Sequence, residues 1–161
     1  MSNPFKLNRR TLCLFAFGAF GAVAGAAISA ESRPKVEVWK DPSCGCCKDW
    51  VVHLEKSGFD VKVNDSGNDK ARQRLGIPQS LGSCHTASVD GYALEGHVPA
   101  REIKRLLASR PKAVGLAVPG MPVGSPGMDG AIYNGRKDPF DVLLVAKDGT
   151  STVYQSYRSE L

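Results

Sequence analysis

Three cysteines fall within four consecutive positions of this 161-residue chain, in the segment Cys44-Gly45-Cys46-Cys47. A Cys-x-x-Cys spacing places two sulfurs one helical turn apart, and Cys46 adds a third sulfur that a dithiol redox motif does not need. A fourth cysteine, Cys84, stands alone in mid-chain, and the fifth, Cys13, lies in an apolar N-terminal stretch. The fold must therefore accommodate three sulfurs within one short segment, which indicates a soft-metal or redox site.

The residues on either side of this segment follow strand and helix patterns. The alternating, β-branched segment 35–39 predicts a strand that ends at Asp41-Pro42-Ser43. Apolar positions after Cys46 recur at helical spacing up to Gly58, and Ser43 is the predicted N-cap. The segment 59–63 alternates as a second strand. This βαβ order places the cysteines at the carboxyl end of the first strand, where open α/β sheets have their sites.

The rest of the chain continues a thioredoxin-like order. A short helix over 69–75 is followed by a hairpin, 85–89 and 92–98, around the turn Asp90-Gly91. A third helix starts with Pro99 at its first position. We therefore predict an α/β fold with a thioredoxin-like mixed sheet flanked by helices, in one domain over 31–161. Beyond residue 111, the sequence predicts an ordered Pro/Gly loop and a terminal β-hairpin.

The first 30 residues have the layout of an export signal. Lys6, Arg9 and Arg10 precede an apolar and glycine-containing run, and small residues follow near Ala30, as is typical of a secretory signal peptide. The Arg9-Arg10 pair also resembles a twin-arginine signal. We expect a periplasmic protein with a signal peptide over 1–30, and membrane contact only through that segment if it stays uncleaved.

The charge balance argues against a nucleic-acid partner. Residues 1–30 hold three of the 21 basic residues and none of the 16 acidic ones, so the remainder has a net charge of only +2. Its basic residues are interleaved with acidic ones and form no aromatic-basic stripe. No nucleic-acid surface is expected.

The cysteine pattern favours copper over zinc. Helix N-termini stabilise negative charge, so the cysteines of 44–47 are expected to be thiolates. In a thioredoxin-like layout, the residue that enters the third strand faces the cysteine motif, and here that residue is Cys84. Thiolates prefer Cu(I) and Zn(II), but the adjacent Cys46 and Cys47 fit poorly around one tetrahedral zinc. Sulfurs that each bridge two Cu(I) ions suit adjacent cysteines better, so the sequence favours a small multinuclear Cu(I) cluster where Cys84 converges on Cys44, Cys46 and Cys47.

Four segments of the chain resemble the periplasmic CopG-type copper-resistance proteins. They are the cysteine motif at 44–47, Gly82–Thr86, Glu95–Pro99 and the loop Val118–Met128. The resemblance implies a thioredoxin-like fold, a copper cluster bridged by the same four cysteines, and copper tolerance through interconversion of Cu(I) and Cu(II). Copper ions and periplasmic copper-handling or redox proteins are the implied partners.

Other candidate ligands rank below the cysteines. Thioethers bind Cu(I), so Met121 and Met128 are candidate ligands or shields, although methionine in such a loop more often fills a gap. His85 follows Cys84, but successive strand residues face opposite sides of a sheet, so its ring is expected to face away from the cluster. His97 is expected to cap or buttress the third helix.

Two other functions fit the cysteines. One is a thiol-disulfide oxidoreductase that uses Cys44 and Cys47, although Cys84 stands where that class commonly has a cis-proline. The other is a structural domain stapled by disulfides, which the adjacency of Cys46 and Cys47 makes geometrically difficult. The copper cluster is the leading hypothesis. Whether the protein is a copper oxidoreductase or only binds copper stays open.

Overall fold

The computed structural model describes residues 32–158, so the predicted export signal lies outside the described residues. Within this range three helices and seven strands follow one another, with 3₁₀ turns at Gln79–Leu81 and Ala131–Tyr133. The helices are α1 (Gly45–Lys56), α2 (Asp69–Arg74) and α3 (Ala100–Ser109). The strands are β1 (Lys35–Lys40), β2 (Asp60–Asn64), β3 (His85–Val89), β4 (Tyr92–Glu95), β5 (Gly115–Ala117), β6 (Phe140–Val145) and β7 (Ser151–Tyr157).

The seven strands form one mixed sheet in the order β2-β1-β3-β4-β5-β6-β7. Strand β1 pairs in parallel with β2 and antiparallel with β3, and the hairpin β3–β4 continues the sheet. The predicted α/β fold with a mixed sheet is confirmed. Because β1 lies beside β3, the residues that follow β1 and those that precede β3 meet at the same end of the sheet.

The main core anchors α1 and α3 against the first strands. Trp50 and Leu54 of α1 and Ile103 of α3 are fully buried in one apolar cluster with Val38 of β1 and Leu94 of β4. Truncation of such a side chain to alanine costs about 2–5 kcal/mol. This packing fixes α1, and with it the cysteines in its first turn.

Three local predictions are corrected. The N-cap of α1 is Cys44, not Ser43, because the Ser43 amide and hydroxyl bond the Asp41 carboxylate in a local turn. Pro99 is the N-cap of α3 and not its first helical residue. Strand β4 ends at Glu95, short of the predicted residue 98, because Gly96 turns the chain with φ +68°.

The C-terminal extension belongs to the same sheet. Strands β6 and β7 form the predicted hairpin, and β6 also pairs with β5. Strand β5 has no counterpart among the sequence predictions, because its three residues, Gly-Leu-Ala, are too few to show alternation. Within residues 32–158, no helix is long and apolar enough to cross a membrane.

Candidate metal centre

The N-terminus of α1 carries three of the cysteines. A tight turn after β1 is held by the Cys44 amide, which donates to the Asp41 carbonyl at 3.1 Å. Cys44 caps the helix, and Cys46 and Cys47 lie in its first turn. Their sulfurs therefore sit where free backbone N–H groups and the helix dipole favour negative charge.

Cys84 lies directly before β3 in a turn held by a buried polar network. The Ser83 amide donates to Glu95 Oε1 at 2.7 Å, and Arg72 donates from its terminal nitrogen to the Ser83 carbonyl at 2.7 Å. Arg72 Nε also donates to Glu95 Oε1 at 2.9 Å, and Thr86 donates to Glu95 Oε2 at 2.6 Å. Both backbone groups of Ser83 are thus fixed, which fixes the position of Cys84.

The charge at the centre of this network is fully buried. Glu95 is 0% exposed and Arg72 only 4%. Burial raises the pKa of Glu95, while the hydrogen bonds from Thr86 and Ser83 and the Arg72 guanidinium lower it. Sequence reasoning missed this pair, although Glu95 belongs to one of the quoted motifs, because its partner Arg72 lies 23 residues away.

The four predicted sulfurs come together at this end of the sheet. Cys44 and Cys47 are joined by a disulfide. Cys46 Sγ lies 3.6 Å from Cys44 Sγ and 3.7 Å from Cys84 Sγ, and all four sulfurs lie within 4.8 Å of one another. Cys84 Sγ thus lies beside Cys46 Sγ although the two residues are 38 apart in sequence, and the four sulfurs are close enough together that they could hold a metal ion.

The Cys84 thiol is strongly disposed to keep its proton in the absence of a cation. Burial, and then the neighbouring Cys46, raise the pKa of Cys84 to about 12. Metal ligands must be deprotonated, so a bound cation replaces this proton and supplies the neutralising charge. In the absence of a cation this thiol is therefore a weak nucleophile.

His97 lies next to Cys84, which overturns the prediction that it caps the third helix. Its Nε2 lies 3.2 Å from Cys84 Sγ, and its Nδ1 donates to the Pro126 carbonyl at 2.8 Å. Because Nδ1 carries the proton, the Nε2 lone pair faces the sulfur. Burial lowers the pKa of His97, which favours the neutral ring. The cap on α3 comes from His53, whose Nε2 accepts from the Ala100 amide at 3.1 Å.

His85 also faces the cluster, contrary to the prediction. Its Nδ1 lies 3.4 Å from Cys84 Sγ, and its ring is fully buried against Trp50 and His97 at centroid distances of 4.3 and 4.9 Å. The alternation of side chains along a strand does not apply to this pair, because β3 begins at His85 and Cys84 lies outside the strand. The Nε2 atom of His85 has no hydrogen-bond partner among the described residues.

The predicted Pro/Gly loop packs on both parts of the site. A Cβ at Gly127, where φ is +84°, would lie 2.6 Å from the Cys46 carbonyl and 2.8 Å from the Trp50 amide nitrogen. Ser83 Oγ donates to the carbonyl of Gly120, which also belongs to this loop. The loop therefore covers the first turn of α1 and the turn before β3.

The two methionines of this loop differ in environment. Met121 is 52% exposed, whereas Met128 is 9% exposed and its sulfur accepts from the Tyr133 hydroxyl at 3.3 Å. The hydrogen bond to Met128 fits the gap-filling role. Copper ligation by either thioether stays a prediction.

The chain is similar to two solved structures, both of copper resistance protein CopG. Form 1 is 45% identical and form 2 is 44% identical, each with a TM-score of 0.71. Each match covers 78% of this chain and 98% of the CopG chain. A family model described as a protein of unknown function, DUF411, matches residues 81–128, which include Cys84, His97 and the Pro/Gly loop. No curated protein sequence matches the chain.

Proposed function

Because the chain belongs to the CopG family of copper resistance proteins, we propose that its four clustered cysteines hold several Cu(I) ions and so protect the cell from copper. Thiolate ligands select soft cations such as Cu(I), and copper is the metal in this family's name. Copper is the protein's cargo in this proposal. The cysteines of the protein supply the sulfurs that bridge the copper ions.

The convergence of Cys84 on the cysteine motif carries the proposal. A dithiol redox site needs two sulfurs, yet four lie within 4.8 Å of one another. Once the Cys44–Cys47 bond is reduced, four thiolates this close repel one another unless cations neutralise them. Adjacent residues such as Cys46 and Cys47 fit a single tetrahedral ion poorly. Several Cu(I) ions that share sulfurs satisfy both conditions.

Full copper loading requires the reduced form of the Cys44–Cys47 pair. In the disulfide form, Cys44 and Cys47 have no thiolates to offer, so full loading follows two-electron reduction of that bond to two thiols. Copper content is thereby linked to the redox state of the compartment. Interconversion of Cu(I) and Cu(II) at the cluster is the redox activity that we propose for it.

Export to the periplasm completes the proposal. We propose that residues 1–30 act as a signal peptide and that 31–161 form the copper-binding domain. Disulfides persist in the periplasm, which agrees with the Cys44–Cys47 bond. Copper-handling or redox proteins of the same compartment are the proposed partners.

The disulfide favours one competing function, a thiol-disulfide oxidoreductase that uses Cys44 and Cys47. Such an enzyme exchanges this bond with a substrate dithiol and needs no metal. It gives no role to Cys84, whose sulfur lies 3.7 Å from Cys46 Sγ. This function predicts metal-free turnover of a disulfide substrate that survives the substitution Cys84→Ser.

The direct test compares copper loading of the wild-type chain with that of a Cys84→Ser variant. Both proteins are reduced, loaded with Cu(I) without oxygen and analysed for copper per chain. We expect the variant to lose most of its copper, because the sulfur that closes the site is gone. A variant that folds as the wild type does and keeps the full copper load would overturn the four-sulfur site.

A further inference from the structure

The disulfide divides the donor atoms of the site into two groups. Cys44 and Cys47 are bonded to each other, whereas Cys46 and Cys84 stay outside that bond. Of these two, Cys84 has nitrogen donors beside it. Cys84, His85 and His97 each offer one atom, and these three atoms also lie within 4.8 Å of one another.

We propose that Cys84, His85 and His97 form a copper(I) site of their own, which remains complete when Cys44 and Cys47 are oxidised. Thiolate and imidazole are both copper ligands. The site would hold one Cu(I) in the disulfide form, and Cys84 would link it to the four-sulfur cluster in the reduced form. This inference rests on the proposed function, since it gives the same protein a smaller copper capacity under oxidising conditions.

The orientation of His97 supports this site. The Pro126 carbonyl accepts the Nδ1 proton at 2.8 Å, which leaves Nε2 as the unprotonated nitrogen 3.2 Å from Cys84 Sγ. A backbone carbonyl that fixes the tautomer and ring of a histidine is the usual support of a metal ligand. The ring is 0% exposed, so its surroundings hold Nε2 toward Cys84.

His85 provides an independent second observation. It is also 0% exposed, and its Nδ1 faces the same sulfur at 3.4 Å while its Nε2 lacks a partner among the described residues. The Nδ1 atom is therefore the one placed to bind a cation held by Cys84, and Nδ1 of a neutral imidazole can serve as a metal ligand. The two rings meet edge to face at 4.9 Å, with their inner nitrogens beside one thiol.

Binding of Cu(I) at this site exchanges one cation for one proton and changes no oxidation state. Cu(I) replaces the proton of the Cys84 thiol, the proton passes to the solvent, and both imidazoles bind as neutral ligands. The Cys44–Cys47 bond neither forms nor breaks. Copper therefore stays Cu(I), and the disulfide stays intact.

The test uses the full chain with Cys13→Ser, so that the cysteine outside the described residues adds no thiol. The protein is oxidised, the disulfide is verified by a thiol count, and Cu(I) is added without oxygen against a chelating competitor. We expect one copper per chain, with both nitrogen and sulfur ligands in the copper-edge X-ray absorption spectrum. His97→Asn should weaken binding by more than about tenfold, the lower limit seen even for residues that only support a ligand.

The control is His53→Asn, which removes a histidine that caps α3 and is not one of the grouped donors, and it should bind copper as the parent does. Oxidised parent protein that binds no Cu(I), or binds it through sulfur alone, would overturn the inference. Because this spectrum is recorded on the parent protein, the test does not depend on the folding of a histidine variant. Full loading of the reduced protein in that case would leave the four-sulfur proposal standing. Equal copper content in both redox forms would instead contradict the four-sulfur proposal.

Discussion

At the scale of single residues, the site depends on the donor atoms around Cys84 Sγ, which are the other clustered sulfurs and one nitrogen each from His85 and His97. The spacing of the cysteine motif and the position of Cys84 at the start of the third strand identify the four cysteines as one candidate site. The structure brings their sulfurs together. The same patterns place His85 and His97 elsewhere. Strand alternation does not extend across the boundary before β3, and the Gly96 turn, which aims His97 at Cys84, has no periodic signature.

The buried carboxylate of Glu95 gives a prediction at this scale. Glu95→Gln removes the charge that faces Arg72 and weakens the acceptor for the Ser83 amide. Loss of one partner of a buried ion pair costs about 3–5 kcal/mol, so we expect a loss of roughly that size in the free energy of unfolding, measured with urea on metal-free protein.

Asp69→Asn is the matched control for this substitution. Asp69 also accepts a hydrogen bond from Arg72, at 3.0 Å, but its side chain is 88% exposed. Exposed pairs contribute only about 0–1 kcal/mol. Equal losses in the two variants would show that burial of Glu95 does not determine the strength of this network.

At the scale of elements, periodicity predicts α1, the β1–α1–β2 crossover and the hairpin at Asp90-Gly91. The structure confirms all three. Helix caps are less predictable, because Asp41 engages Ser43 and leaves Cys44 as the N-cap. The sequence predicts an ordered Pro/Gly loop, but the contacts of that loop with α1 depend on tertiary packing that no local pattern encodes.

Gly127 tests the role of this loop. In Gly127→Ala the new Cβ meets two backbone atoms closer than 3.0 Å, at a φ of +84°, so the loop must shift or strain. We expect a loss of about 1–3 kcal/mol in unfolding free energy and faster proteolysis of the loop.

Gly130→Ala, just beyond the loop, is its control. Gly130 has a φ of −66°, and no heavy atom would lie within 4 Å of the new Cβ, so its effect should stay within about 0.5 kcal/mol. Gly127→Ala protein as stable and as protease-resistant as Gly130→Ala protein would show that the loop is not held against α1.

At the scale of the whole molecule, the order of helices and strands is sufficient to predict the sheet around β1. The βαβ crossover and the β3–β4 hairpin leave few ways to place Cys84 relative to the cysteine motif. The attachment of the C-terminal hairpin does not follow from the sequence. It depends on β5, whose three residues connect β4 to β6 but carry no strand signature.

The proposed function depends on several coppers sharing the four sulfurs of one chain. The most direct measurement is the number of coppers bound by the reduced full chain, counted by native mass spectrometry after anaerobic Cu(I) loading, together with its copper-edge X-ray absorption spectrum. We predict more than one copper per chain, sulfur-dominated coordination and copper–copper scattering. A single bound copper without copper–copper scattering would contradict the cluster.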